Sequence, residues 1–404
     1  MTVSAGNRSG QLPPRLNGRQ TNRFKVLRAL YDHPGSTRTE LAEYTGLSRP
    51  TVSAVADQLV QSELVVQHED AQPRPGRPPV LLSLASGAAF AVGVDMGHAH
   101  VQVGVSDLSG RILGHQRSPA DVDHDPLASF DLAQQLVDDA LARSGVSTDR
   151  VIGVGMALAA PVERTTGAVF AEGILPNWGG IQPASEMRAR LGLPVEVRND
   201  ANLGALGEHV FGAGREVADM LYVRLSAGVG LGLVLGGQPY GGTGGLAGEL
   251  GHVRARPEGL ICRCGNRGCL ETVASSLAVA RLLARSREEP VSVERLLELA
   301  ASGDRGAKRA VAEAGQAVGE ALATAVNLFN PELILVGGDL AATGDTVLAP
   351  LRRAIEQYAL APSARAVALS VGALGDKAEV LGAVALVLGE SPAFLATEPP
   401  STVA

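Results

Sequence analysis

The sequence predicts an α/β protein with a winged helix-turn-helix joined to its N-terminal side. Three observations predict it. Residues 19–85 read helix, helix, helix, strand, strand, with turn residues between them. From residue 88 onward, short apolar runs of strand type end in Asp, Asn or Gly and alternate with helical stretches, as layered α/β bodies require. Charge divides the chain at the same place. Residues 1–85 carry ten Lys and Arg against seven Asp and Glu, so the remainder holds −10 of a net −7. A basic head on an acidic body is the footprint of a nucleic-acid module attached to a soluble domain.

Composition sets the outer bounds. The 404 residues are 45% hydrophobic, enough for two or three domains with cores of their own. No apolar run approaches the ~20 residues of a membrane span, and residues 1–20 lack the apolar segment of a signal peptide. Three closely spaced cysteines suit a reducing compartment, and the expectation is a cytoplasmic protein with no membrane partner. The expected divisions are a disordered arm at 1–18, the head at 19–85, the body at 88–390 and a disordered tail at 391–404.

In the head, Phe24, Leu27, Leu30 and Tyr31 share one helical face, and His33-Pro34-Gly35 ends that helix. A second helix follows from Arg38, with Ser36 or Thr37 as its cap. Thr45-Gly46-Leu47 turns the chain, and Ser48 caps a third helix that tolerates Pro50 in its first turn. Ala42 is small where the two helices cross. Leu41, Leu47, Val52 and Val55 are apolar where they pack. Glu63 to Val66 and Pro79 to Leu84 read as two strands, which completes a wing. Between them, Arg74 and Arg77 stand among prolines, either as a tip for a minor groove or as a plain linker. Arg49, Thr51 and Ser53 are the residues that the third helix presents to base edges. So small a head gains affinity from a two-fold partner.

The body opens with strands at Phe90–Gly97, 101–105 and from Ile112, the second and third joined by a turn at Asp107-Leu-Ser-Gly110. A helix follows over about 127–143 and a buried-type strand over 151–157. Trp178 is the only tryptophan and lies in a loop, where it serves packing or ligand contact. The run Val195-Glu-Val-Arg-Asn199-Asp200 ends a strand just before a helix at about 201–209. Strand mouths of this kind are where α/β folds bind ligands, although Asn and Asp also cap helices there. Residues 220–225 form a strand that enters Ser226-Ala-Gly-Val-Gly-Leu-Gly232, either an anion-binding loop or a glycine-rich hairpin. Ala-rich helices cover about 307–328, and Asn330-Pro-Glu-Leu-Ile-Leu-Val-Gly-Gly338 closes with a strand and a glycine turn.

All three cysteines, Cys262, Cys264 and Cys269, lie within eight residues, and His252 precedes the first by ten. Three thiols and an imidazole make a full tetrahedral set for zinc. Gly265 and Gly268 let the backbone wrap closely around an ion.

This stretch resembles the signature of the ROK family of sugar kinases and sugar-responsive repressors. The resemblance rests on Gly248-Glu249-x-Gly251-His252 and on Cys262-x-Cys264-Gly-x-x-Gly268-Cys269-Leu-Glu271. It implies a two-lobed actin-like ATPase fold with a structural zinc on His252, Cys262, Cys264 and Cys269. It also implies a sugar held by Asn199, Asp200, Glu249, His252 and Glu271, with Asp200 as the base if the chain were a kinase. The phosphate loops depart from the family pattern. Family kinases carry Asp-x-Gly-Gly-Thr where this chain has Asp95-Met-Gly97-His98-Ala99. They carry Gly-Thr-Gly where it has Ser226-Ala227-Gly228. Phosphoryl transfer depends on holding the triphosphate, so these losses argue against ATP turnover. The expectation is a non-catalytic, sugar-responsive regulator, a repressor released from a double-stranded DNA operator by a sugar or sugar-phosphate. It would act as a homodimer or homotetramer. The alternative is an ATP-dependent sugar kinase carrying a DNA-binding domain.

Overall fold

The computed structural model describes residues 18–69, 79–163, 166–170, 173–287 and 289–397. The head contains α1 (Gly18–Asp32), α2 (Arg38–Thr45) and α3 (Arg49–Gln61), then β1 (Val65–Glu69) and β2 (Val80–Leu84). Of the two candidate caps, Thr37 starts α2. Its side chain accepts from the Glu40 amide, and the Glu40 carboxylate reaches back to the Thr37 amide. Gly46 takes φ 67° to end α2, and Ser48 accepts from the Thr51 amide to start α3. β1 and β2 pair antiparallel as the wing. Arg74 and Arg77 lie outside the described residues.

Leu27, Leu30, Leu41, Val52 and Leu59 are buried between the three helices, with Leu82 of the wing beneath them. The expected face of α1 is only part of what it buries. Val26 and Ala29 are also inside, because α1 is covered from a second side by the body.

The body has two lobes. The first contains β3 (Phe90–Gly97), β4 (His100–Asp107), β5 (Ile112–Pro119), α4 (Pro126–Ser144), β6 (Val151–Leu158), α5 (Pro183–Leu191), β7 (Val195–Asn199) and α6 (Asp200–Phe211). Its sheet runs β5-β4-β3-β6-β7. The first three strands are antiparallel, and β6 and β7 run parallel to β3.

The second lobe contains β8 (Met220–Leu225), β9 (Val229–Leu235), β10 (Gln238–Pro239), α7 (Glu271–Ala274), α8 (Ser276–Ala284), α9 (Val293–Ala301), α10 (Arg305–Phe329), β11 (Leu333–Gly337), α11 (Asp345–Tyr358), α12 (Ala361–Ala366) and β12 (Ala368–Val371). Its sheet runs β10-β9-β8-β11-β12, the same topology repeated. Each first strand, β3 and β8, therefore ends at the cleft between the lobes, and so do the turns that follow them.

A last helix, α13 (Ala378–Thr397), returns to the first lobe. It packs on α6, on β3 and β6, and on α1 of the head. The α6 crossing is close because both helices present glycine. A Cβ on Gly382 would sit 1.7 Å from the Leu203 carbonyl oxygen, and one on Gly207 2.3 Å from that of Ala378. The tail expected from residue 391 is corrected in part, since α13 continues through Ser391 and Pro392 to Thr397. Its preceding turns are anchored on both head and body, which carries the helix past the point where composition suggested an end. Among the described residues, no helix is long and apolar enough to cross a membrane.

Candidate functional site

All five residues expected to face a sugar line one cavity between the lobes, with about 40 Å³ of free space. Asn199 ends β7 and caps α6, accepting from the Asn202 amide at 3.1 Å, while its Nδ2 donates to the Ala160 carbonyl at 3.3 Å. The helix-capping alternative therefore describes Asn199, while Asp200 Oδ1 accepts from the Ala201 amide at 2.8 Å in the first turn of α6. Asp200 is 6% exposed, and its Oδ2 lies 3.1 Å from Nη1 of Arg224.

Glu249 and His252 come from a tight loop laid against β9. Gly248 at its start takes φ 104°, and a Cβ there would sit 1.9 Å from the Leu231 carbonyl oxygen. Only glycine lets the loop approach so closely and turn Glu249 toward the cavity. Burial pushes the Glu249 carboxyl up to about 7, with the charges of Asp200 and Glu271 adding to the rise. Glu271 begins α7. Its Oε2 accepts from the Val229 amide at 3.4 Å, and its Oε1 faces Nε of Arg263 at 3.5 Å.

His252, Cys262, Cys264 and Cys269 converge so that one ligand atom from each lies within 4.8 Å of the others. His252 Nδ1 is 3.7 Å from Cys262 Sγ, and Cys264 Sγ is 3.7 Å from Cys269 Sγ. Sulfurs around a tetrahedral zinc with bonds of about 2.3 Å would be separated by about 3.8 Å. Burial, together with the other two sulfurs, pushes the Cys269 thiol up to about 12. Three thiols this close resist shared ionisation unless a cation lies among them. The donor set and its spacing therefore fit a metal ion. With Nδ1 turned to the cysteines, His252 Nε2 faces Glu249 Oε2 at 4.0 Å and the cavity.

The other end of the cleft is differently made. Asp95, 1% exposed at the end of β3, takes His100 Nε2 on its Oδ2 at 3.0 Å. Burial opposes its charge, but the His100 hydrogen bond, the His100 charge and Arg224 together hold its carboxyl below the usual range. His98 Nδ1 is bound to Asp123 at 2.6 Å, and its Nε2 would lie 3.6 Å from a Cβ on Gly228. The imidazole thus stands between the two loops. Ser226 and Ser276 both donate to Asp339 Oδ2, at 2.6 and 2.9 Å. In these two loops, Asp95 Oδ2, His98 Nδ1 and Ser226 Oγ are each engaged within the chain, while Asp95 Oδ1 is buried with no partner among the described residues.

The sequence did not point to Arg224, Arg263 or Asp123, and it marked His98 only as a departure in the first phosphate loop. A charged residue within the buried strand run 220–225 was the available signal for Arg224. Arg263 lies between two cysteines and reaches across the cleft, donating to the Ile174 carbonyl at 3.1 Å and lying 3.7 Å from Asp123. Trp178 takes the packing alternative. It is 1% exposed, donates Nε1 to the Val122 carbonyl at 2.7 Å and packs on Phe130. On α3, Arg49 is exposed, while Thr51 and Ser53 are half-buried. Thr51 Oγ1 is also bonded to Ser48 Oγ at 2.7 Å. Asp57, exposed on the same helix, pairs with Arg38 at 2.7 Å.

Duplicated five-stranded sheets around a polar cleft, with a winged helix on the outside, define an actin-like sugar-kinase fold fitted with a DNA-binding type of head. Residues 91–390 match the ROK family and residues 17–74 the MarR family, and the chain belongs to the ROK family. It is 27% identical to the xylose repressor of Caldicellulosiruptor bescii over 93% of this chain and 97% of that one. It is 34% identical to the glucokinase of Streptomyces coelicolor over 74% of this chain and 98% of the glucokinase. A solved ROK family transcriptional regulator, a homologue of the Escherichia coli MLC protein, superposes with a TM-score of 0.77. It is 25% identical and covers 93% of this chain and 98% of its own. The glucokinase match thus covers about three quarters of the chain, whereas the two regulators match along nearly the whole of it.

Proposed function

We propose that this chain is a sugar-responsive transcriptional repressor that binds operator DNA through its winged head and a monosaccharide between its lobes. The observation that carries this reading is the contrast within one cleft. The sugar end keeps a convergent polar set, while at the phosphate end His98, Ser226 and one oxygen of Asp95 are taken by internal partners. Asn199, Asp200, Glu249, His252 and Glu271 would hydrogen-bond the hydroxyls. A buried polar set of this kind discriminates well, because an unmatched group is costly. A zinc on His252 and the three cysteines would have no open position for chemistry. It would stiffen the Glu249–His252 loop, with His252 ligating through Nδ1 and meeting the sugar through Nε2.

Phosphoryl transfer is not part of this reading. Asp200, which would be the base of a kinase, is instead paired with the Arg224 guanidinium, Oδ2 lying 3.1 Å from Nη1. Arg49, Thr51, Ser53, Arg74 and Arg77 would contact DNA, in the cytoplasm, from a homodimer or homotetramer. A sugar that shifts the protein from mostly bound to mostly free must favour the released state by about 5.5 kcal/mol.

The test is a gel shift of the full chain on duplexes selected from a random pool, repeated with xylose, glucose and their phosphates. Release by one sugar is expected. DNA binding insensitive to all of them, together with sugar-dependent ADP production from ATP, would overturn the reading in favour of a kinase. Arg49→Ala should weaken DNA binding by roughly 10- to 100-fold and leave the melting temperature in place.

A further inference from the structure

Arg224 is nearly enclosed, with 8% of its side chain exposed. It binds two carboxylates at once. Nη1 lies 3.1 Å from Asp200 Oδ2 and Nε lies 3.0 Å from Glu379 Oε1, and the side chains of these two acids are 9% and 5% exposed. Tyr222 also donates its hydroxyl to Glu379 Oε1 at 3.0 Å. The three residues belong to three different elements. Asp200 lines the sugar cavity and begins α6. Arg224 stands on β8 of the second lobe. Glu379 sits in the first turn of α13. About 8 to 14 Å further along α13, Val384, Val387 and Leu388 share an apolar cluster with Val26, Leu27 and Leu30 of α1. There Arg28 Nη1 donates to the Gly389 carbonyl at 2.9 Å.

We propose that Arg224 links the sugar cavity to the head, because it holds Asp200 and Glu379 together. A ligand hydroxyl that engages Asp200 would change how α13, and with it α1, is seated. The link rests on the repressor reading and names the path by which that site would act. A planar guanidinium with five donors can serve two carboxylates in fixed geometry. Breaking one buried pair leaves charge uncompensated, so the arrangement has few intermediate states. α13 is a continuous helix fixed to α6 at its start and to α1 beyond, and it transmits displacement rather than absorbing it. An ordinary structural ion pair would stabilise the lobes and leave the head indifferent to Asp200.

A double-mutant cycle on the full chain separates these two roles without a known sugar. Asp200→Ala frees Arg224 from the cavity and should lower affinity for a selected duplex by about 10-fold, in the usual range of coupling between sites. In the Glu379→Ala background the same substitution should change affinity by less than about two-fold. Glu379→Gln, which can still accept from Arg224 and Tyr222, should retain much of the response. If Glu379→Ala does not fold, Arg224→Met removes both pairs and takes its place in the cycle. Hydrogen exchange supplies a second readout, in which Asp200→Ala should speed exchange in α13 and α1 only where Glu379 is present. Equal effects of Asp200→Ala in both backgrounds would overturn the link while leaving the repressor reading intact. Failure to bind any duplex would overturn the repressor reading, and exchange on α1 would then decide the link alone.

Discussion

The two ends of the cleft start from the same architecture and treat polar groups in opposite ways. At the sugar end, Glu249, His252 and Glu271 converge on a shared cavity from a loop and a helix start that a metal-binding set would brace. At the phosphate end, Asp95 is bound through one oxygen to His100, His98 to Asp123, and Ser226 to Asp339. A group already satisfied within the chain offers nothing to a ligand without first breaking that bond. A group left facing a cavity is available. On the proposed reading, this difference would let a kinase-shaped body keep recognition without transfer.

The largest expected effect lies at the metal cluster. Cys269→Ser should abolish bound zinc, measured as metal per chain. A loss of several kcal/mol should lower the melting temperature by about 10 °C or more. Full metal content in that variant would remove the brace from the sugar end.

The comparison itself is tested by one substitution at each end. His100→Ala strands the buried Asp95 carboxylate and should cost about 3–5 kcal/mol in urea unfolding, with sugar affinity of the folded protein unchanged. Glu271→Gln should do the reverse, weakening sugar binding by about 1.5–3 kcal/mol with little change in unfolding. Calorimetric titration checks the binding arm. Similar profiles for the two variants would erase the distinction.

A smaller effect concerns pH. Burial pushes the Glu379 carboxyl up to about 7; Arg224 opposes the rise, and Asp95 and Asp200 support it. A folded-state value above the unfolded one means that the folded protein holds this proton more tightly. The contribution is complete below the unfolded value of 4.5 and is lost as pH rises through about 7. Stability should therefore decline from pH 5 toward pH 8. Glu379→Gln should flatten that decline in denaturant midpoints. An unchanged slope would assign it to other groups.

The smallest expected effect is no effect. Restoring kinase-type loops with His98→Gly, Ala99→Thr, Ser226→Gly and Ala227→Thr should leave ADP release at background, because Arg224 still holds Asp200. Appearance of sugar-dependent turnover would show that the loops alone silence the chain.

Much of the site was legible because its chemistry is local in sequence. The three cysteines fall within eight residues and His252 only ten before them, so spacing alone suggested a shared ion. Asn199 and Asp200 sit where a strand gives way to a helix, and the altered loops could be read residue by residue. Trp178 was ambiguous because a loop position does not say whether an indole faces a ligand or a core. Phe130 and the Val122 carbonyl, about fifty residues away in sequence, decided it.

Local spacing along the chain laid out the head, the His252–Cys269 cluster, the strand mouths and the altered phosphate loops, since each depends on side chains a few positions apart along a helix, strand or turn. Only the tertiary structure decided that the two lobes repeat one topology, that α13 returns to join body and head, and that Arg224 holds Asp200 and Glu379 together. The physical reason is range. The Arg224–Glu379 contact spans 155 residues and the Arg28–Gly389 contact spans 361. No local period encodes which buried charge will meet which, because the partners are chosen by how the sheets and helices pack.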